Sequence, residues 1–222
     1  MASLLEGLGT IFQALASMDS FEISDALNSP SAYLFGLILV LPGSWLLMLV
    51  LQKTPFLDKY LERSLLVSTY LAIAAIIFIE VIRRFVFQVQ APWSTTLPPY
   101  LFLIMAWVGC AYNTKLRTHL SFSEFRQKFP PFGQFLCLSL DAVLWLVFAL
   151  IVVVTSLKQT ANSAANFQIL LGTDNVMQWW FYAVVPFSWL ILSARVMENW
   201  LEDLHNYKSG KPLITLNAIT GE

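Results

Sequence analysis

The hydrophobic residues of the chain form five long runs that are separated by short polar segments. The runs cover residues 33–51, 64–82, 97–113, 133–157 and 176–194. An apolar helix rises about 1.5 Å per residue and needs about 20 residues to cross a hydrocarbon core about 30 Å thick. The pattern therefore predicts an all-α integral membrane protein with five transmembrane helices.

Two shorter segments have the pattern of helices that lie along a surface. Residues 3–18 repeat apolar side chains at the i, i+3, i+4, i+7 spacing of one helical face. Because the opposite face has no basic residue, we expect this helix to lie on the membrane or on a partner without binding anionic headgroups. The alternative is a mobile amphipathic tail. Residues 121–129 predict a second interfacial helix, whose shared face consists of Phe122, Phe125 and Phe129.

Polar residues and prolines predict where these helices break, bend and begin. Residues 19–30, rich in acidic and polar side chains, predict a polar break after the first helix. Pro42-Gly43 predicts a kink at the centre of the first span. The triplet Ser94-Thr95-Thr96 predicts an N-cap for the third span, with Pro98 and Pro99 in its first turn, where a missing N–H costs little.

The helical spacing of apolar residues continues beyond the fifth run and predicts that this helix extends to about Tyr207. The chain then divides into four regions. They are an amphipathic segment at 1–30, an additional transmembrane helix at 31–52, a four-helix region at 53–207 and a tail at 208–222.

Composition agrees with insertion in a membrane and limits the chemistry. Hydrophobic residues make up 57% of the 222 residues and charged residues only 12%, whereas soluble domains contain about 25% charged residues. Cys110 and Cys137 lie inside apolar runs, so we expect neither a disulfide nor a metal site. His119 and His205 lie outside the runs, where they cannot face each other as haem ligands within the membrane. We therefore expect no cofactor.

The sequence also lacks the motifs of the common enzyme classes. It has no glycine-rich phosphate loop, no nucleophile elbow, and no basic aromatic patch of the kind that binds nucleic acid. We expect a protein that is not an enzyme, contacts membrane lipids, and does not bind nucleic acid. Its strongly apolar helices favour an accessory or anchoring subunit that packs on a larger partner.

Few polar residues lie within the runs. Glu80 is expected to pair with Arg83 or Arg84 one turn away. Asp141 is expected to have a hydrogen-bonded structural role or to contact a partner. Small residues recur every four positions along the second run, which would let another helix approach closely. This candidate helix-packing face consists of Ser64, Ser68 and Ala72.

Orientation follows from the basic residues near the ends of the spans. With the C-terminus in the cytoplasm, ten of the 13 Lys and Arg residues are cytoplasmic and three, Arg83, Arg84 and Lys158, are outside. This bias predicts a periplasmic N-terminus. The cytoplasmic set is Lys53, Lys59, Arg63, Lys115, Arg117, Arg126, Lys128, Arg195, Lys208 and Lys211.

The polar segment between the second and third spans resembles a known family. An Arg-aromatic-Val-Phe element is followed by Pro-Trp-Ser, then by a span, and then by an Arg and a His that introduce a polar loop. The matching residues are Arg84, Phe85, Val86, Phe87, Pro92, Trp93, Ser94, Arg117 and His119. Their order and spacing resemble the small membrane subunit, of DctQ type, of tripartite ATP-independent periplasmic (TRAP) transporters, over residues 56–204.

The resemblance implies a non-catalytic subunit in the bacterial inner membrane, paired with a large membrane subunit that transports an organic acid, a carboxylate or a sulfonate, with sodium. It implies that the small subunit enlarges and anchors a static scaffold. It also implies that the loops at 83–100 and 157–176 help to receive a periplasmic substrate-binding protein. The candidate partner or interface contacts are Arg83, Arg84, Trp93, Ser94, Arg117 and His119.

The chain departs from the family pattern at three places. Thr95-Thr96 replaces two acidic residues, Thr118 replaces a glycine, and residues 3–51 have no counterpart in the usual four-span subunit. The remaining alternative is a membrane anchor or assembly subunit of another bacterial complex, such as a respiratory enzyme.

Overall fold

A computed structural model describes residues 2–118 and 126–213, which are almost entirely helical. In these ranges the only β contact is an isolated antiparallel bridge between Ile169 and Met177. The helices are α1 Ala2–Ser17, α2 Ser20–Asn28, α3 Ser31–Ile38, α4 Ser44–Lys53, α5 Pro55–Val86, α6 Leu97–Leu116, α7 Pro131–Ala165, α8 Trp179–Tyr182 and α9 Val184–Lys208.

Five helical stretches are long and apolar enough to cross a membrane, which confirms the predicted all-α membrane fold. They are Ser31–Lys53, Pro55–Val86, Pro92–Leu116, Pro131–Ala165 and Trp179–Lys208. The second, fourth and fifth stretches extend well beyond the apolar runs. At one end of the bundle the second and fifth can do so because charged side chains of α5, α6 and α9 pair with one another. The predicted extension of the last helix to about Tyr207 is confirmed, since α9 ends at Lys208.

The bundle is built around α9. Of the most apolar part of its span, 56% is buried inside the protein, against 6% for α5. Trp189 of α9 is 2% exposed and contacts the rings of Trp107, Trp145 and Phe148, with centroid distances of 5.4, 6.1 and 5.2 Å. Helices α6 and α7 therefore meet on one aromatic side chain of α9.

The first span belongs to the same core. Val40 is buried with Ala149 and Val153 of α7 and with Leu192 of α9. Between α3 and α4 the chain forms a π-helical turn, Leu39–Gly43, that contains Pro42. The predicted kink is thus a local change of helix type, because proline cannot donate the hydrogen bond of a regular α-helix.

The N-terminal helices pack on the bundle rather than only on a membrane surface. Ile11 and Leu27 are buried against Ala161 of α7 and its neighbours. A Cβ atom at Gly7 would lie 2.1 Å from Ser31 Oγ, so α1 and α3 approach closely. Part of the predicted apolar face remains open, since Leu5 is 62% and Met18 is 87% exposed.

One local prediction is wrong and another is confirmed only in part. Residues 19–30 are not a break, because Asp19 accepts a hydrogen bond from the Phe21 N–H at 2.8 Å and starts α2 as an N-cap. Thr96 occupies the N-cap position of α6, as predicted, but without the expected side-chain hydrogen bond. The Thr96 hydroxyl makes no capping bond to α6 and instead donates to the carbonyl oxygen of Leu171 at 2.7 Å. The predicted interfacial helix at 121–129 lies mostly outside the described residues.

Candidate interaction surfaces and the buried ion cluster

A cluster of charged side chains joins α5, α6 and α9 at one end of the bundle, called here the Arg195 end. Arg195 of α9 is 2% exposed, and its Nε donates to Glu62 Oε1 of α5 at 2.9 Å. Its Nη1 donates to Asp58 Oδ1 and to Glu198 Oε2. Lys115 of α6 lies 3.0 Å from the Asp58 carboxylate and also donates to the Asp58 carbonyl.

The cluster is placed by helix periodicity. Asp58 and Glu62 are four residues apart and so lie on the same face of α5, the face that meets α6 and α9. Glu62 is 1% exposed, and a buried carboxylate is stable only when it is paired and hydrogen-bonded. Arg195 and Lys115 supply that pairing. The arrangement therefore fixes the relative positions of three helices.

Arg117 forms a second ionic contact at the same end. It follows α6 with a left-handed backbone, φ 54°, which turns its side chain towards α9. There it donates to Asp203 at 2.6 Å, to Glu202 at 2.9 Å and to the carbonyl oxygen of Asn199 at 2.9 Å. The charge of Arg117 is thus already balanced within the chain.

The opposite end of the bundle, called here the hinge end, contains residues 87–96 and the loop at 166–178. Gly172 has φ +81°, and a Cβ atom there would lie 2.6 Å from the Pro92 carbonyl carbon and 2.7 Å from the Trp93 nitrogen. Together with the bond from Thr96 to Leu171, this contact holds the two loops against each other. Ser94 is buried and donates to the carbonyl oxygen of Ala91, so it supports the turn from within.

Glu80 has a different partner from the one predicted. Its carboxylate accepts a hydrogen bond from the backbone N–H of Ala91 at 3.1 Å. Within the described ranges, no ion pair joins it to Arg83 or Arg84. The Glu80 carboxylate therefore satisfies the backbone N–H of Ala91 at the hinge end. Arg84 remains exposed and Arg83 half-buried at the surface.

The other residues singled out from the sequence lie in several places. Trp93 is half-buried at the hinge end, and His119 lies outside the described residues. Asp141 of α7 accepts from Arg126 at 2.5 Å, a hydrogen-bonded role of the kind expected. Ser64 and Ser68 are exposed and Ala72 is half-buried, so this ridge packs little within the chain.

Sequence reasoning missed the ion cluster. Asp58 and Glu62 precede the second apolar run, and Arg195 follows the fifth, so each lies in a polar flank where charged residues are ordinary. The available signal was the i, i+4 spacing of the two acids, with Glu62 two residues before the second run and Arg195 one residue after the fifth. In the parts of the chain that the structure describes, no group of three or more His, Cys, Asp or Glu residues could hold a metal ion.

Comparison with known proteins identifies the family. Residues 73–206, more than half of the chain, match the DctQ component of tripartite ATP-independent periplasmic transporters. A comparison with curated proteins gave no match. The matched region begins within α5 and includes α6, α7 and nearly all of α9, the helices that surround Trp189. The chain belongs to the DctQ family of TRAP transporter membrane components.

Proposed function

We propose that this chain is the small permease subunit of a TRAP transporter and that it anchors and enlarges the static scaffold of a large membrane subunit. The observation that supports this best is the unequal burial of its helices. Helix α9 is packed on several sides, whereas 6% of the apolar stretch of α5 is buried. A helix of 32 residues with so little contact inside its own chain has a long face for a partner and for lipid.

The candidate packing face lies on α5. Ser64, Ser68 and Ala72 form a small-residue ridge, and helices in membranes associate largely through close packing at such ridges. Large exposed side chains lie at the hinge end of the same helix, where Phe78 is 67% and Phe85 is 78% exposed. We infer that the large subunit packs its scaffold helices against the ridge.

The ion cluster supports a static role. Arg195, Glu62 and Asp58 tie α9 to α5, and Arg117 ties α9 to the end of α6. Separating these helices would leave buried charges without partners, which costs several kcal/mol. A bundle joined in this way is suited to support a moving partner rather than to move itself.

The hinge end is the proposed contact for a periplasmic binding protein, with the N-terminus periplasmic and the C-terminus cytoplasmic. Arg84 is exposed there, and the acidic side chains of Asp19, Glu22 and Asp25 are exposed on and beside α2. The surface thus has a basic and an acidic part. Transport of an organic acid coupled to sodium would take place in the large subunit.

The residues before the matched region form a further part of the proposal. The span at 31–52 packs on α7 and α9 through Val40 and Phe35. We infer that it enlarges the scaffold as an integral helix of the bundle, and that the N-terminal segment at 1–30 completes its periplasmic end.

Co-purification with a large TRAP membrane subunit from the native membranes of this chain tests the proposal. The wild-type chain should retain that subunit in mild detergent. Ser68→Trp should reduce the retained amount at least severalfold, because the indole blocks close approach at the ridge. Ala74→Trp is the matched control, since Ala74 is also small and exposed on α5 but lies on another face. Failure of the wild-type chain to retain any large subunit, or retention of a respiratory enzyme in its place, would contradict the proposal.

A further inference from the structure

The first turns of α5 separate their charges by face. Asp58 and Glu62 point into the bundle, where Lys115 and Arg195 bind them. Lys59 and Arg63, each one residue further along, are exposed on the outside of the helix. Because the acids are already neutralised from within, they do not neutralise the outer cations.

Two aromatic side chains lie beside these cations on the same face of α5. Phe56 is 72% and Tyr60 is 41% exposed. The spacing 56, 59, 60 and 63 places all four side chains on one face of the helix. Lys59 Nζ lies 5.3 Å from the centroid of the Tyr60 ring. We call Phe56, Lys59, Tyr60 and Arg63 the basic-aromatic stripe.

The stripe has no charged partner within the described ranges. Neither Lys59 nor Arg63 forms an ion pair there. Lys53, at the end of α4, is a further exposed cation two residues before α5 begins. The positive charge at this corner therefore faces the surroundings of the protein.

The stripe lies next to the apolar surface of α5, where lipid headgroups are expected. On the same face, Val67 is 51% and Tyr70 is 61% exposed, and an uncharged apolar stretch follows up to Glu80. Arg63 precedes Val67 by four residues, or about 6 Å along the helix axis. The stripe thus begins where the apolar surface ends, at the level where aromatic rings and basic side chains meet lipid phosphates.

We propose that the basic-aromatic stripe binds an anionic phospholipid through its headgroup phosphate. Lys59 and Arg63 contact the phosphate oxygens, and Phe56 and Tyr60 pack on the glycerol and the first acyl carbons. An anionic headgroup is complementary to the two cations, whereas a zwitterionic headgroup brings a positive group of its own. This binding is a property of the inserted chain and does not depend on transport.

Native mass spectrometry of the full-length chain in detergent tests the proposal, with phosphatidylglycerol and phosphatidylcholine as the two probes. The wild-type chain should bind phosphatidylglycerol more tightly. Because one Lys or Arg near a lipid surface changes the affinity roughly fivefold, K59Q/R63Q should weaken phosphatidylglycerol binding by roughly 25-fold and leave phosphatidylcholine binding unchanged. K208Q/K211Q removes two exposed cations from the Arg195 end of the bundle and should retain wild-type affinity.

Two further measurements separate the stripe from general effects. K59R/R63K should keep the preference for phosphatidylglycerol, and the wild-type preference should fall as NaCl is raised. Both measurements test the proposal even if K59Q/R63Q fails to fold. Equal binding of the two lipids by the wild-type chain would overturn the proposal. An equal loss of phosphatidylglycerol affinity in K59Q/R63Q and in K208Q/K211Q would also overturn it. So would a K59Q/R63Q chain that keeps its lipid preference but no longer retains the large subunit, since the stripe would then be a protein contact. A separate result would contradict the proposed function, namely a wild-type chain that never retains the large subunit.

Discussion

Arg195 of α9 donates its Nε to Glu62 of α5 at 2.9 Å, and both side chains are at most 2% exposed. The pair connects the central helix of the bundle to its most exposed one. A buried ion pair of this kind adds little net stability compared with apolar residues of the same size, but it is costly to break from one side. Its value to this chain is the fixed position that it gives α5.

Replacing Arg195 alone should therefore be far worse than replacing both partners. Arg195→Met leaves Glu62 without its main cation and should cost about 3–5 kcal/mol, lowering the Tm in detergent by roughly 10 °C. The double variant Glu62→Met/Arg195→Met should recover part of this loss. Tryptophan fluorescence on heating measures both, with Arg84→Gln as the exposed control. Equal losses in the single and double variants would show that the pair does not act as a unit.

Glu80 offers a test of its observed partner against the one predicted from the sequence. Its carboxylate accepts from the Ala91 N–H, and an amide oxygen can do the same. Glu80→Gln should therefore leave hydrogen exchange at Ala91 close to wild type, whereas Glu80→Ala should speed it severalfold. If the two variants exchange equally fast, charge pairing with Arg83 or Arg84 matters more than the hydrogen bond.

The sequence predicted the number of spans because that property depends on runs of apolar residues, which are local. The kink at Pro42-Gly43 and the extension of the fifth helix were predictable for the same reason. The ion cluster was not, because Glu62 and Arg195 are 133 residues apart and only the packing of α9 brings them together. The partner of Thr96 was missed likewise, since Leu171 lies 75 residues away and local capping rules favour the nearest backbone donor.

Gly172 joins the two loops of the hinge end, and its replacement should loosen them. In Gly172→Ala, the alanine would have an unfavourable positive φ, and its Cβ would clash with the backbone of Pro92 and Trp93. Gly210→Ala is the matched control, because Gly210 has φ +67° but nothing within 4 Å of its added Cβ. We expect Gly172→Ala to raise the rate of proteolysis in residues 166–178 at least tenfold over the control. Similar rates in both variants would mean that the contact with Pro92 is unimportant.

The first span should be inseparable from the bundle. A Cβ atom at Gly36 would lie 2.3 Å from Val154 Cγ2, so Gly36→Leu overpacks the contact between α3 and α7 and should cost about 1–3 kcal/mol. Gly9→Leu adds the same side chain to α1 where a Cβ has nothing within 4 Å and should change the Tm little. Unfolding on heating measures both. A Gly36→Leu chain as stable as wild type would indicate that the span is only loosely attached.

Uptake by proteoliposomes tests the central claim most directly. Vesicles that contain the large membrane subunit, with and without this chain, are given the substrate-binding protein, a labelled organic acid and an inward sodium gradient. The account predicts uptake that requires the sodium gradient and this chain together, and that falls when Ser68→Trp separates the two membrane subunits. Full uptake by the large subunit alone would contradict it.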